Sequence, residues 1–260
     1  MLNRQQADRF ASLGAVTVDT PFLAAEIDGA AAVLDRLFPA AAANPRSTRD
    51  YRMQATNSYF EPELLNLIQH PFLESAAQMA LNAETVDFFA TAAVKTFPEP
   101  GATFGYWEHV DIKYRLSDLD AAPRNMICSC LIWLTDVTLD RAPLMFRPAS
   151  HRQIAAEMEK NAAYIDNPVE TDQLPKLPYA DPQPLLAKKG QLTVCTTSLI
   201  HGASCNTGTL DRKVIFITFV PHGYTIRANM AIEDKRQTYL RELQSRLRPE
   251  RRHIIHFAAN

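Results

Sequence analysis

Cysteine is scarce in this 260-residue chain, and none of its four cysteines, Cys128, Cys130, Cys195 and Cys205, belongs to a Cys-x-x-Cys pair. That argues against a disulfide framework or a structural zinc knot and leaves four reduced thiols in or near the core. An excess of charge of one sign is also lacking. The 27 basic residues nearly balance the 29 acidic ones, for a net charge of −2, so neither nucleic acid nor an anionic membrane is an expected partner. No apolar run reaches bilayer-spanning length, and residues 1–14 read as a polar amphipathic helix without a signal peptide's hydrophobic stretch, which points to a cytoplasmic location. Internal repeats and low-complexity tracts are absent as well. The length suits one domain over residues 1–260, large enough to bury a sizeable core, as a monomer or homodimer.

What is present falls into helices first and strands afterwards. Residues 5–12, 21–37 and 61–81 carry apolar side chains at helical spacing, and 40–58 is polar and turn-prone. Strand-like segments follow at 86–97, 103–111, 125–136, 144–148, 186–196 and 212–220. They predict a mainly β protein with flanking helices around a double-stranded β-helix, a jelly roll of the cupin kind. Residues 154–164 form a further expected helix inside a long insertion at 152–184, rich in proline and read as a lid over the active centre. The tail, 229–260, begins as a charged amphipathic helix to residue 247 and continues into a basic run. It is expected to pack on the outside of the barrel, with His253 and His256 not acting as metal ligands.

The chemistry concentrates in a few positions. On a strand, residues two apart share a face, so His109 and Asp111 project together. With His201 they supply two imidazoles and a carboxylate. Such a set can occupy one face of an octahedral metal and leave three adjacent positions open, the arrangement of non-heme Fe(II) oxygenases. Arg212 opens an apolar strand, where an unpaired guanidinium would be costly unless an anion meets it. A dicarboxylate is the natural partner, because a planar guanidinium binds carboxylate through two parallel charge-assisted hydrogen bonds. The bland alternative is a salt bridge to Asp211 or another acid.

With these residues in place, the chain resembles the phytanoyl-CoA dioxygenase-like (PhyH) family of Fe(II)/2-oxoglutarate-dependent oxygenases over most of residues 1–222. The resemblance is carried by the opening helix with Gly14-Ala15-Val16-Thr17-Val18, by His70-Pro71-Phe72-Leu73, and by Pro100-Gly101. It continues in Ala142-Pro143-Leu144 and Pro148-Ala149-Ser150-His151-Arg152, which look like the family's Gly-Pro-Leu and Pro-Gly-Ser-His signatures, and in the distance from His201 to Arg212. It implies His109, Asp111 and His201 as iron ligands, Arg212 on the distal carboxylate of 2-oxoglutarate, and O2 as second cosubstrate. Oxidation of an unactivated C–H bond of a small molecule, with release of succinate and CO2, is the implied reaction. Hydroxylation is its default outcome; desaturation, cyclisation and epimerisation share the same residues.

Several positions depart from the family pattern. Ala203 and Gly208 stand where hydroxyl residues are usual, so Ser204, Thr207 or Thr209 are expected to supply the secondary 2-oxoglutarate contacts. Ala149 replaces a glycine, and Glu108 separates Trp107 from His109. Asp111 itself argues against the halogenating relatives, in which a small residue leaves room for a halide. If the His109 strand runs on past Asp111, Lys113 and Arg115 face the same side and favour an anionic substrate. Two other classes compete: a non-catalytic jelly-roll binding protein, which would need neither triad nor arginine, and a zinc hydrolase, which would not need Arg212.

Overall fold

The computed structural model describes residues 3–39, 51–99, 101–160, 173–224 and 233–257. The chain opens with α1 (Arg4–Leu13), whose N-terminus is capped by Asn3 and Gln6, and turns through left-handed Gly14 into β1 (Ala15–Val18). Next come α2 (Ala24–Leu37), β2 (Arg52–Thr56), α3 (Pro62–Ile68), α4 (Pro71–Leu81), β3 (Val86–Thr96) and the single turn α5 (Leu116–Leu119). The second half holds β4 (Cys128–Trp133), β5 (Leu144–Phe146), α6 (Ser150–Lys160), β6 (Gln183–Leu185), β7 (Leu192–Thr196), β8 (His201–Ala203) and β9 (Arg212–Pro221). α7 (Glu233–Arg246) and a 3-10 helix, Pro249–Ile254, close it.

Two antiparallel sheets face each other. The larger has six strands in the order β1-β7-β4-β9-β3-β2, and the smaller has three in the order β6-β5-β8. Alternation divides the large sheet cleanly. Val94, Leu131, Trp133, Val214 and Cys195 face the small sheet and pack with Leu144, Phe146 and Leu185. Ala93, Cys130, Ile132, Val194, Ile215 and Ile217 face the other way, into one core with α2, α3 and α4. A bulge at Phe89 adds one residue to β3 opposite β9, which sends Phe88 to the helical face and Phe89 to the opposite one. The expected jelly roll with flanking helices is thus observed.

Several boundaries differ from the sequence reading. The 61–81 helix is two helices, because Pro71 has no N–H to continue the first and instead occupies N1 of the second. The 40–58 segment is not all turn: its last part is β2, an edge strand alternating between Arg52, Gln54 and Thr56 on one side and Met53 and Ala55 on the other. The expected strand at 103–111 is reduced to two isolated bridges, Tyr106 with Ser204 and His109 with His201. The 186–196 strand is interrupted at Gly190, where φ is 86°, so only Leu192–Thr196 remains. α7 buries Tyr239, Leu240 and Leu243 in the core that holds α2, α3 and α4; residues 229–232 and 258–260 of the expected tail lie outside the described residues. All four cysteines are unpaired. Among the described residues, no helix is long and apolar enough to cross a membrane.

Candidate active site

His201 heads β8 and His109 lies beside it, each backbone N–H donating to the other's carbonyl at 2.9 Å. This close pairing depends on Gly202. A Cβ there would stand 2.0 Å from the carbonyl oxygen of Trp107, so only glycine lets the two segments meet. The chain then leaves the pairing at Asp111, whose N–H, like that of Ile112, donates to the Thr197 carbonyl. The two imidazole centroids are 4.4 Å apart. Nε2 of His109 lies 3.6 Å and Nε2 of His201 3.8 Å from the Asp111 carboxylate. One ligand atom from each residue fits within 4.8 Å of the others.

The donor set suits a metal. Nδ1 of His201 is 2.8 Å from the Leu199 carbonyl, which can only accept, so Nδ1 carries the proton and Nε2 presents its lone pair. Burial disfavours the Asp111 carboxylate, but His201, His109 and Arg52 outweigh it and hold the group below its ordinary range. Val110, between His109 and Asp111, points the other way with Ile200, into a small core with Ile154 and Met158 of α6 and with Leu174 and Tyr179. The segments that carry His109, Asp111 and His201 are therefore braced from behind.

The triad opens on a cavity of about 350 Å3 between the sheets, within the range of small-molecule sites. Arg212 reaches the same cavity from β9 while only 1% exposed. Its guanidinium donates to the Ala142 carbonyl at 2.6 Å and to Thr96 Oγ1 at 3.1 Å, and buried Nε has no partner. The expected alternative, a salt bridge to Asp211, is not formed: that carboxylate pairs with Lys95 at 3.1 Å. Among the described residues no carboxylate lies within ion-pair distance of Arg212. Burial, with Arg52 as a lesser cause, lowers its pKa to about 9, still charged at neutral pH. A buried cation that lines a cavity and keeps one donor without a partner is a cradle for an anion.

Other expected contacts fall elsewhere. Ser204 Oγ is turned to the Pro143 carbonyl, Thr207 reaches the Asp140 carbonyl from the surface, and Thr209 is exposed. None lines the cavity. Lys113 and Arg115 do not line it either, because regular alternation stops at Asp111. Lys113 Nζ donates to the Gln173 carbonyl, and Arg115 precedes α5 as its N-cap residue. Of the insertion, 161–172 lies outside the described residues, and the described remainder contributes no cavity residue. The polar groups present are instead Arg52, Gln54, Ser129, Thr197 and Thr218. Arg52 and Gln54 were missed because β2 sits in a polar stretch; the period-two pattern Arg-Met-Gln-Ala-Thr was the available signal.

Two antiparallel sheets enclosing a His-Asp-His cluster and a buried arginine define a cupin-like, metal-dependent oxygenase fold. The sequence profile of the phytanoyl-CoA dioxygenase (PhyH) family matches residues 10–214, and the chain belongs to that family of Fe(II)/2-oxoglutarate-dependent oxygenases. Among solved structures, the chain is similar to SnoN, the non-heme α-ketoglutarate-dependent epimerase of nogalamycin biosynthesis. The TM-score is 0.61 at 15% identity, over 87% of this chain and 86% of that one. It is also similar to HygX of Streptomyces hygroscopicus with nickel and 2-oxoglutarate bound, with TM-score 0.61, 14% identity and coverage of 89% and 93%. EctD from S. alaskensis gives a TM-score of 0.60 at 18% identity, over 87% and 79%. No curated protein matches the chain in sequence.

Proposed function

We propose that the protein is an Fe(II)- and 2-oxoglutarate-dependent hydroxylase of a small anionic molecule, with His109, Asp111 and His201 holding the metal and Arg212 the distal carboxylate of the cosubstrate. The observation that carries this reading is the buried Arg212 guanidinium, without a carboxylate partner among the described residues, in the cavity that the triad enters. Bound iron and 2-oxoglutarate would supply an oxidant able to take hydrogen from an unactivated carbon. The chain's own part is placement and exclusion of water. Phe89, Ala90, Ala92, Ile112, Ile127, Leu144 and Phe216 give the cavity an apolar wall. Hydroxylation is favoured over epimerisation because, among the described residues, no tyrosine or cysteine lines the cavity to return a hydrogen atom.

Arg52 supports an anionic substrate. It stands in register with Thr96, which is in register with Arg212, so the three side chains share the cavity face of adjacent strands. Its side chain is exposed and donates to Gln54 Oε1 at 3.1 Å. With Fe(II), Arg52 and Arg212 positive and Asp111 and a 2-oxoglutarate dianion negative, one formal positive charge remains for the substrate. HygX has been seen with nickel, 2-oxoglutarate and hygromycin B together, so a relative of this fold admits a small molecule beside the cosubstrate. The test is succinate formation with a panel of carboxylates and phosphates and their neutral amides or alcohols. Acids should be preferred by wild type, and Arg52→Ala should raise substrate KM at least tenfold with the 2-oxoglutarate requirement little changed. Equal use of acids and amides by wild type would contradict the anionic substrate, and absence of 2-oxoglutarate turnover would contradict the whole reading.

A further inference from the structure

A second pair of imidazoles converges on a carboxylate far along the same strands. β3 and β9 pair with Val86 opposite Pro221 and Asp87 opposite Val220, and the His222 N–H extends the ladder to the Thr85 carbonyl. Asp87 and His222 are therefore diagonal neighbours on one face of the sheet. His256 reaches the same carboxylate from the tail. Nδ1 of His256 is 2.5 Å and Nδ1 of His222 3.2 Å from Asp87, and the two rings are 4.7 Å apart. One ligand atom from each of the three residues lies within 4.8 Å of the others.

The tail does not dangle at this point. Ile254 and Ile255, just before His256, are buried, and Gln244 Nε2 donates to the Ile255 carbonyl at 2.8 Å. Arg251 pairs with Glu74 at 2.7 Å and donates to the Gln69 carbonyl. The His256 ring is thus delivered by a packed backbone. His222 and His256 are both exposed, so water can complete a coordination shell, and His222 borders a surface cleft of about 900 Å3. We propose that Asp87, His222 and His256 form a second metal site, for a zinc-class divalent ion, that clamps the C-terminal tail to the end of the large sheet. Two imidazoles and one carboxylate with a water suit Zn2+, and equally Ni2+ or Cu2+, better than Mg2+ or Ca2+. Unlike His201, neither imidazole is fixed by a backbone carbonyl among the described residues, so this ion should exchange more readily than the one in the cavity.

Zinc alone, added to chelator-stripped protein in equilibrium dialysis, tests the site independently of catalysis. Wild type should hold two ions per chain, Asp111→Ala/His201→Ala one, and His222→Ala/His256→Ala one. Asp111, His222 and His256 are exposed and His201 is partly buried, so circular dichroism checks that each variant is folded. In the Asp111→Ala/His201→Ala protein, zinc should slow amide exchange across residues 249–257. In the His222→Ala/His256→Ala protein it should not. Two ions retained by His222→Ala/His256→Ala, no zinc held by Asp111→Ala/His201→Ala, or an unchanged exchange rate in the latter would overturn the proposal. A failure here leaves the cavity reading untouched, since that one is read by succinate formation.

Discussion

Four residues carry most of the account at the scale of single residues. Arg212 is the most informative, because its buried guanidinium has a carbonyl and a hydroxyl as partners but no counter-charge among the described residues, a cost that a bound anion would offset. Ala149 carries backbone strain. Its φ is 61°, in the left-handed region that glycine occupies at low cost, which explains why an alanine in a Pro-Gly-Ser-His signature stood out. Ala142, where a glycine was also expected, has φ 47° and aims its carbonyl at Arg212. Ala149→Gly should therefore raise stability by about 0.5–1 kcal/mol, read as a higher urea midpoint with unchanged slope; a lower midpoint would mean that the turn is relaxed as it stands. His151 of the same signature is not a ligand. Burial, opposed by the hydrogen bond to the Ala11 carbonyl, lowers its pKa to about 4, so it stays neutral under α1 at neutral pH. Between its unfolded pKa of about 6.5 and its folded value, the unfolded chain takes up a proton that the folded chain refuses. Stability should accordingly fall by up to about 3 kcal/mol as pH drops from 7.5 to 4. Denaturation of wild type and His151→Gln at several pH values checks this: the variant should lose much of that pH dependence, and equal slopes would contradict it.

At the scale of elements, the site is made by the approach of segment 106–109 to β8. Gly202→Ala would force these backbones apart, with the new methyl driven against the Trp107 carbonyl. We expect a loss of about 2 kcal/mol in stability and a fall of at least tenfold in Fe(II) affinity, measured by anaerobic dialysis; retained iron affinity would show that the ligands are held by other contacts. The pairing explains what the sequence could and could not disclose. His109, Asp111, His201 and Arg212 were readable because residue type and spacing carry chemistry, and β3, β4 and β9 because their apolar runs are long. Lys113 and Arg115 were misplaced because alternation was extended past Asp111, where the N–H groups of Asp111 and Ile112 both donate to the Thr197 carbonyl and the strand ends. β2 was missed because an edge strand facing a polar cavity lacks the apolar pattern of a buried one.

Across the whole molecule, the helices cover one face of the large sheet and leave the other to the small sheet, so the cavity has a rigid floor in β3, β4 and β9. One wall carries His109, Asp111 and His201, the floor carries Arg212, and the neighbouring edge strand β2 adds Arg52. That architecture was legible as a jelly roll, whereas the cavity's polar lining depends on contacts between segments tens of residues apart, to which local patterns are blind. The central claim is that triad and Arg212 serve one bound pair, iron and 2-oxoglutarate. It is tested most directly by titrating 2-oxoglutarate into Fe(II)-loaded protein without oxygen and following the weak visible absorption of the chelate, in wild type and in Arg212→Ala. The account predicts a saturable band in wild type. In the variant it predicts the same iron content but a 2-oxoglutarate requirement raised tenfold to several hundredfold, as expected for losing charge-assisted hydrogen bonds of roughly 1.5–3 kcal/mol. An identical titration in the two proteins, or no band in wild type at saturating 2-oxoglutarate, would contradict it.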